Sequence, residues 1–452
     1  MNLPRAMLGR AWVRACALSL AVPLLLAPPV EAQGPGALDP ALAAATFDSA
    51  WTRVRDTYYD PGMRGLDWDG VRAELRPRAV AAYSSSELRD VLTEMLSRLG
   101  ESHFSIIPGP SAAAFDLPAA AGDAEPGLDL RRVGDELVVS RVRAGSPAEG
   151  GGVRPGWILD GIDELSMDTL ASWVSEGAPD ENVERYIGLW FPISARARLA
   201  GAQGSEVTVH LRDGSNEERS VTLERAAPPG EEVRLGNLPP LRMESTHRIE
   251  TLPGGGEAGV IRLSAWFPAI VPALATAMGD LRDVDGIVLD LRGNPGGLAA
   301  LVMGVGGHFL DEPLSLGEMR MREATLRFVV NPQRVTGDGT RVEPFSGPFA
   351  ILVDPLTAST SEVFAGGMQA LGRARVFGET TAGQALPALV TALPNGDRLL
   401  HAVADFTASD GSRLEGAGVT PDVIVPLTRE ALLAGEDSAL REAFQWIASH
   451  PD

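Results

Sequence analysis

The 452-residue sequence predicts an α/β fold, and three observations lead to that prediction. From Gly254 onward, short buried-type strands alternate with apolar helices, which is typical of a layered core with a sheet between helices. A stretch of short alternating strands lies before this region, and a helical pattern lies before those strands. Because the chain is too long for one ordinary domain, the three patterns indicate distinct structural parts.

The first residues have the features of a secretory leader. Three arginines accompany an apolar run, Ala17–Ala27, that is too short to span a bilayer, and Val30–Ala32 is a small-residue cleavage site. We therefore expect residues 1–32 to be a signal peptide. The mature protein should be exported, either periplasmic or secreted, without stable membrane insertion.

Composition excludes several classes of function. The formal net charge of -21 would repel phosphates, so we expect no nucleic-acid partner. All 39 basic residues are arginine, so no lysine can act as a base or form a Schiff base. Cys16, the single cysteine, lies in the leader. No His/Asp/Glu group has metal-ligand spacing, so we expect neither a metal nor another cofactor.

A helical segment over residues 33–110 follows the leader. Phe47, Trp51, Val54 and Tyr58 repeat at helical spacing, and a second periodic run ends at Gly100. Directly after that helix end stands the dipeptide Ser102-His103.

Short strands predict a β-rich domain over residues 111–230, which begins with the small-residue linker Ser111–Asp123. Its motifs resemble those of a bacterial-type PDZ domain: Pro126–Leu130, Gly145–Ala148, Val153–Gly156 and Ile158-Leu159. The resemblance implies that backbone N–H groups of the matching loop bind a free C-terminal carboxylate, as an extended peptide adds to the sheet edge. The residues of that loop are Gly127, Leu128, Asp129 and Leu130. The alternative is a PDZ relic without a ligand, and Leu170–Ala202 is an insertion to which the sequence assigns no role.

The βα pattern of the core is predicted over residues 231–432, and a C-terminal helix over residues 433–452. The expected strands are Val260–Leu263, Gly286–Leu291, Pro348–Val353 and Arg373–Phe377, and the expected helices are Ile270–Leu281, Leu298–Leu310 and Ser438–Ser449.

The stretch Asp354–Gln369 predicts a strand, a tight turn with hydroxyl residues and then a helix. Such an elbow can carry a nucleophile, because the helix N-terminus offers free N–H groups and a positive dipole end. The structural alternative is simple, since Ser359 and Glu362 also form the S-x-x-E pattern of a helix capping box.

Several stretches together resemble the tail-specific, or C-terminal processing, serine proteases and their tricorn-core relatives. They are Leu99–His103, the PDZ-like domain, Leu289–Gly297, Thr357–Gly383 and Ser412–Pro426. The resemblance implies a crotonase-like (ClpP-type) α/β spiral protease core with an inserted PDZ-like domain and an N-terminal helical segment. It also implies hydrolysis of polypeptide substrates recognised through a free C-terminus.

The same resemblance places the nucleophile at Ser359. In the commoner branch a catalytic lysine lies 25 residues further on, but this chain has Gln384 there. The tricorn-core branch instead uses a Ser-His pair and a glutamate, which match Ser102, His103 and Glu415. His103 would be the general base, with the backbone N–H groups of Gly297 and Thr360 facing the oxyanion.

Alternative readings remain open for these residues. His103 could pair with the dipole at a helix end, Glu415 could be an exposed turn carboxylate, and Asn294–Gly297 could be only a tight turn. The whole protein could be an inactive protease-fold scaffold that binds peptides, or a binder of small apolar ligands. The oligomeric state is left open, a homo-oligomer included.

Overall fold

The computed structural model describes residues 38–108, 124–176, 178, 183–233 and 241–450. The compact unit that they form begins at Leu38. The predicted leader and the predicted linker Ser111–Asp123 lie outside the described residues. In the described ranges, no helix is both long enough and apolar enough to cross a membrane.

The first part of the described chain is helical, as the periodicity predicts. Its elements are α1 (Pro40–Thr57), α2 (Trp68–Val80), α3 (Ser85–Ser97) and a short strand, β1 (Ser105–Ile107). Asp39 caps α1 by accepting from the N–H of Ala41 at 2.9 Å, and Ser84 caps α3 by accepting from the N–H of Glu87 at 3.1 Å. The turn after α3 carries Ser102-His103.

A β-rich module spans residues 124–226. Its elements are β2 (Leu128–Val133), β3 (Glu136–Val142), α4 (Pro147–Gly150), β4 (Ile158–Ile162), β5 (Leu165–Ser166), α5 (Met167–Glu176), α6 (Val183–Leu199), β6 (Glu206–Arg212) and β7 (Glu218–Glu224). The sheet order is β2-β3-β4-β6-β7, so β2 is an edge strand. Helix α6 and all but the first turn of α5 come from the predicted insertion, and α6 lies beside β2.

The remaining elements form the core. They are β8 (Glu231–Val233), β9 (Leu241–Met243), β10 (Ser245–Thr251), β11 (Glu257–Leu263), α7 (Ile270–Asp280), β12 (Gly286–Asp290), α8 (Leu301–Gly306), β13 (Leu314–Met321), β14 (Thr325–Val330), β15 (Phe349–Val353), α9 (Thr360–Ala370), β16 (Arg375–Gly378), β17 (Ala388–Ala392), β18 (Arg398–Ala402), β19 (Ala404–Ala408), β20 (Val423–Ile424), α10 (Arg429–Ala434) and α11 (Ser438–Ala448). The central sheet has the order β10-β11-β12-β15-β16-β20 and is parallel apart from β10.

Helices cover both faces of this sheet. Every residue of β12 and β15 is buried, as expected for central strands of a parallel sheet. Residues of α7 and α9 pack with one face, which includes Ile287 and Ile351. Residues of α11 pack with the other face, which includes Val288 and Leu352. Because the strands are parallel, the loops after β12 and β15 lie at the same edge of the sheet.

The core differs from the sequence prediction in two respects. The helix expected at Leu298–Leu310 is confined to Leu301–Gly306, because glycines at and just after its end favour turns. Further elements were not predicted: helix α10 and strands β8, β9, β10, β13, β14, β17, β18, β19 and β20. Most of these strands pair antiparallel and have partly exposed faces, and β13 has a register shift between Ser315 and Glu318, so their hydrophobic alternation is weak.

The N-terminal helices do not form a core of their own. Their apolar faces bury residues of the β17–β18 hairpin and its flank, among them Leu386 and Leu399. Strand β1 also pairs antiparallel with β18, with Ser105 opposite Leu400. This shared core fixes the turn that carries Ser102-His103 beside the segment that follows Thr381.

Candidate active site

Ser359 stands at the elbow between β15 and α9. Its φ of 56° lies in the left-handed region, which residues other than glycine adopt rarely and at an energetic cost. The N–H of Ser359 donates to the carbonyl of Gln384 at 2.8 Å and lies 3.0 Å from the carboxylate of Glu362. These contacts hold the residue in its strained conformation with its hydroxyl at the start of α9.

Glu362 does more than cap the helix. Its fully buried carboxyl group accepts hydrogen bonds from the Thr381 hydroxyl and from the N–H groups of Gly383 (2.7 Å) and Gln384 (2.9 Å). Burial raises the pKa of Glu362 to about 7, although these hydrogen bonds oppose the shift. The Glu362 half of the predicted capping box is therefore present, and the same side chain fixes the backbone opposite Ser359.

Gly296 and Gly297 lie against the elbow. A Cβ atom at Gly296 would come within 2.7 Å of the Ser359 Cβ and 2.9 Å of the Thr360 nitrogen. The Thr360 hydroxyl donates to the carbonyl of Gly297 at 2.8 Å. Among the described residues, the N–H groups of Gly297 and Thr360 have no acceptor. Two free N–H donors therefore flank the close contact between Gly296 and Ser359 at the elbow.

The Asn294 side chain holds the turn that contains Gly296 and Gly297 in place. Its side chain is fully buried, donates to the carbonyl of Leu263 at 2.8 Å and accepts from the N–H of Gly296 at 2.9 Å. Asn294–Gly297 is thus a tight turn, as the structural alternative holds, and that turn also presents the Gly297 N–H beside Ser359.

Glu415, Ser102 and His103 form a hydrogen-bonded chain. The Ser102 hydroxyl donates to Glu415 Oε2 at 2.9 Å and lies 2.7 Å from His103 Nδ1. The carboxylate also accepts from the N–H groups of Ser102 and Ala385, both at 2.8 Å. Glu415 is buried, which rules out the alternative of an exposed turn carboxylate.

This chain determines the histidine tautomer. A hydroxyl has one proton, and Ser102 donates it to the carboxylate. His103 Nδ1 must then donate its own proton to the Ser102 oxygen, which leaves the lone pair on Nε2. The imidazole is therefore oriented with its basic nitrogen away from Glu415.

Burial changes the pKa of both titratable groups. It lowers the pKa of His103 from 6.5 to about 4, so the ring is neutral at neutral pH. It raises the pKa of Glu415, and the charge of Glu101 adds to that rise while the hydrogen bonds to the carboxylate oppose it. His103 also has a positive φ, of 60°, so both His103 and Ser359 lie on strained backbone.

The elbow with Ser359 and the chain Glu415–Ser102–His103 are both bonded to one dipeptide, Gln384-Ala385. The Gln384 carbonyl accepts from Ser359, and the Ala385 N–H donates to Glu415. Within the described residues, however, no hydrogen bond joins the His103 ring to the Ser359 hydroxyl. The structure thus attaches both groups of predicted catalytic residues to one stretch of backbone, but it leaves the predicted base and the predicted nucleophile without a hydrogen bond between them.

The β-rich module contacts both halves through α6. The Arg185 guanidinium donates to the carbonyl of Gly416, which directly follows Glu415. Leu189 packs in a small apolar cluster with Ala358 and Ala382, next to the elbow. The N-terminal half of α6 therefore lies on the loops that carry Ser359 and Glu415.

The loop Gly127–Leu130 lies in the module, at the start of edge strand β2. Gly127 has a φ of 93°, and a Cβ atom there would meet the Ser146 side chain at 2.3 Å. Burial alone would raise the pKa of Asp129. The positive charges of neighbouring arginines, chiefly Arg141, whose Nε lies 2.7 Å from the carboxylate, outweigh burial and hold the pKa at about 2. The Asp129 carboxylate is thus occupied within the module, so only the backbone of the loop remains for a ligand.

Sequence reasoning missed three groups at this site. Glu362 was read only as a possible cap, and neither Glu101 nor Arg413 was singled out. Glu101 directly precedes Ser102, and that adjacency was the one available signal. In the described part of the chain, no group of three or more His, Cys, Asp or Glu side chains could hold a metal ion.

The chain is similar in sequence to two protein families and to several known proteins. Residues 257–425 match peptidase family S41, and residues 41–97 match the tricorn protease C1 domain. The chloroplastic carboxyl-terminal-processing peptidase 3 of Arabidopsis thaliana is 26% identical over 387 residues, covering 84% of this chain and 68% of that protein. The carboxyl-terminal-processing protease of Synechocystis sp. is 25% identical over 385 residues, covering 83% and 79%.

Solved structures show the same fold. The photosystem II D1 C-terminal processing protease is 24% identical, covers 89% of this chain and 96% of its own, and has a TM-score of 0.56. Mature CPAF is 14% identical, with coverage of 90% and 96% and a TM-score of 0.58. At these identities the likeness concerns the mixed α/β fold alone. The sequence matches, in contrast, confirm the resemblance stated above: the chain carries a peptidase family S41 domain and a tricorn protease C1 domain, and it is a serine-type peptidase.

Proposed function

We propose that this protein is an exported serine endopeptidase that cleaves polypeptides recognised through a free C-terminus. One observation carries the chemical part of the proposal. The chain Glu415–Ser102–His103 and the elbow with Ser359 and its two free N–H donors lie on either side of the same backbone dipeptide. In this proposal Ser359 is the nucleophile and His103 is the general base.

The reaction is an acyl transfer. Ser359 Oγ attacks the scissile carbonyl carbon while His103 Nε2 takes the hydroxyl proton. The negative charge that develops on the carbonyl oxygen meets the N–H groups of Gly297 and Thr360. When the C–N bond breaks, the imidazolium gives its proton to the leaving amine, and water then releases the acyl group by the same route. Glu415 stabilises the imidazolium through the Ser102 hydroxyl.

Recognition of a C-terminus is assigned to the PDZ-like module and its loop Gly127–Leu130. Support comes from the position of β2, whose outer edge has no strand partner among the described residues and lies beside α6. An extended peptide can add to such an edge while backbone N–H groups hold its carboxylate. Peptides with a free and an amidated C-terminus should therefore differ in affinity, and equal affinities would count against this assignment.

The module is also placed to control formation of the His103–Ser359 pair. Helix α6 rests on the loops of Ser359 and Glu415 while His103 and Ser359 are not hydrogen-bonded to each other. We infer that this docked position is the resting state, and that binding a peptide tail beside β2 moves α6 and lets the pair form. The crotonase-like description of the core and the PDZ-like description of the module belong to this proposal.

Covalent labelling tests the chemistry. A serine-reactive phosphonate should label the wild-type protein, and both Ser359→Ala and His103→Ala should abolish labelling and casein cleavage. His210→Ala is the matched control, because His210 is half-buried in β6 and, within the described residues, bonds to Ser220 and Asp163 and to no residue of the site. Retained peptide binding without labelling of the wild type would instead support an inactive scaffold.

Export rests on the sequence of residues 1–32 alone. Mass spectrometry of the protein from its native cells should find a mature N-terminus near Gln33, and an intact Met1 in the fully active protein would contradict export.

A further inference from the structure

Arg413 bonds to both chain segments that form the Glu415–Ser102 contact, and these segments are far apart in the sequence. Its Nη2 donates to Glu101 Oε1 at 2.7 Å, and its Nη1 donates to the backbone carbonyl of Glu415 at 3.2 Å. Its Nε donates to both carboxylate oxygens of Asp405 in β19, at 3.0 and 2.9 Å. The guanidinium therefore contacts a neighbour of Ser102, the backbone of Glu415 and the core sheet at once.

Glu101 is the second part of this arrangement. Its side chain is only 3% exposed, and it accepts from the hydroxyl groups of Tyr58 and Tyr59 at the end of α1. Arg64 also donates to it, at 3.0 Å. A carboxylate that is buried and bound by this many donors has a fixed position. Because Ser102 follows Glu101 directly, the position of Glu101 also fixes the Ser102-His103 turn.

We propose that Arg413 is a positioning residue for the catalytic reaction: by bridging Glu101 and the backbone of Glu415, it holds the Glu415 carboxylate within hydrogen-bond distance of Ser102. The proposal rests on the proposed function, since it concerns how the base His103 is oriented. Arg413 itself does not touch the substrate. Its planar guanidinium suits this role, because one side chain can donate in three directions at fixed angles.

Charge gives Arg413 a second effect on the same site. Glu101 is a like charge near Glu415, and Arg413 balances it. Without the guanidinium, the buried charge of Glu101 would favour the protonated forms of both Glu415 and His103, so the acid limb of the pH–rate profile, which His103 sets in the proposed mechanism, would move to higher pH. Glu101, His103 and Arg413 are the charged and titratable groups nearest to the Glu415–Ser102 contact. Arg185 and Glu362 bond to the adjoining residues Gly416 and Gln384, and Tyr58, Tyr59 and Arg64 bond to Glu101.

The test compares Arg413→Met with two matched controls. Arg320→Met removes an arginine that lies over the Tyr59 ring at 5.7 Å and, within the described residues, bonds to neither Glu101 nor Glu415. Arg64→Met removes a cation from Glu101 but leaves the Glu415 contact in place. For each variant, kcat, KM and the pH dependence of kcat/KM are measured on one peptide, and phosphonate titration counts the active sites.

For Arg413→Met we expect kcat per titrated site to fall about 100-fold, because a small misplacement of a catalytic group is sufficient for such a loss. KM should change less than about threefold, and the acid limb should rise by about one pH unit. Arg64→Met should move the limb in the same direction with little loss of kcat, and Arg320→Met should match the wild type. Arg413→Lys keeps the charge but cannot bridge three groups, so it should restore the acid limb but not kcat.

Three outcomes would overturn the proposal. They are an unchanged kcat and acid limb in Arg413→Met, a loss explained entirely by fewer titrated sites, and an Arg413→Lys variant with wild-type kcat. If Arg413→Met does not fold, Arg413→Lys and Tyr59→Phe decide the question. Tyr59→Phe removes one donor from Glu101 and one acceptor from Arg413 Nη2, so it should shift the acid limb upward. An inactive wild type, or an active Ser359→Ala variant, would instead refute the proposed function.

Discussion

Leu189 offers a direct test of the proposed gating of the site by α6, because its side chain packs between α6 and the elbow that carries Ser359. It is 4% exposed and packs with Ala358 and Ala382, in a cluster separate from the hydrophobic core of the module. Truncation to alanine removes buried methyl groups from this contact, which costs the docked state about 2 kcal/mol, the lower end of the range for buried leucines. For a two-state equilibrium, that change increases the undocked fraction relative to the docked one by about 30-fold.

The assay is the rate of cleavage of a peptide with an amidated C-terminus, which should not engage the module. In Leu189→Ala we expect this basal rate to rise about 10- to 30-fold, while cleavage of the same peptide with a free C-terminus changes much less. Leu170→Ala is the control, because Leu170 is also 4% exposed but packs in the core of the module. It should lower the melting temperature without raising the basal rate.

An unchanged or lower basal rate in Leu189→Ala would refute the reasoning. An unchanged rate would mean that the contact of α6 with the elbow does not restrain the site. A lower rate would mean that the docked position supports catalysis rather than blocking it.

Three further predictions concern the site and its surroundings. In the proposed mechanism the neutral His103 ring is the base, and burial lowers its pKa to about 4, so kcat/KM should stay constant from pH 7 to 6 and decline only at lower pH. An acid limb above pH 7.5 would exclude His103 as the base. Gly296→Ala should lower kcat at least 100-fold with near-normal peptide binding, since its Cβ would meet Ser359; near-normal kcat would show that the elbow can shift. His401 is fully buried, and burial lowers its pKa to about 4. Its neutral form therefore stabilises the fold above pH 6.5, and this contribution to the free energy of unfolding, up to about 3 kcal/mol, is lost as the pH falls towards 4. Urea unfolding across this range should show a weaker pH dependence in His401→Leu than in the wild type.

The family and the enzyme class could be predicted from short motifs, because their residues are close together in the chain. The ordered set of Leu99–His103, the PDZ-like domain, Leu289–Gly297, Thr357–Gly383 and Ser412–Pro426 indicated both. The absence of lysine excluded a Ser-Lys pair by chemistry alone. Continuous apolar runs also predicted the central strands β12 and β15, since a strand buried on both faces has no polar alternation.

Other features could not be predicted, because they depend on contacts between distant segments. Glu101 and Arg413 are 312 residues apart, and nothing in the sequence around either residue indicates that they meet. The same is true of α6, whose amphipathic pattern does not reveal that Leu189 rests on the elbow. Burial also changed the expected chemistry of His103, lowering its pKa from 6.5 to about 4. The sequence by itself thus determined which residue types are available for catalysis. Only the tertiary structure decided how they are oriented and how strongly water is excluded from them, because both depend on packing between segments that are remote in the chain.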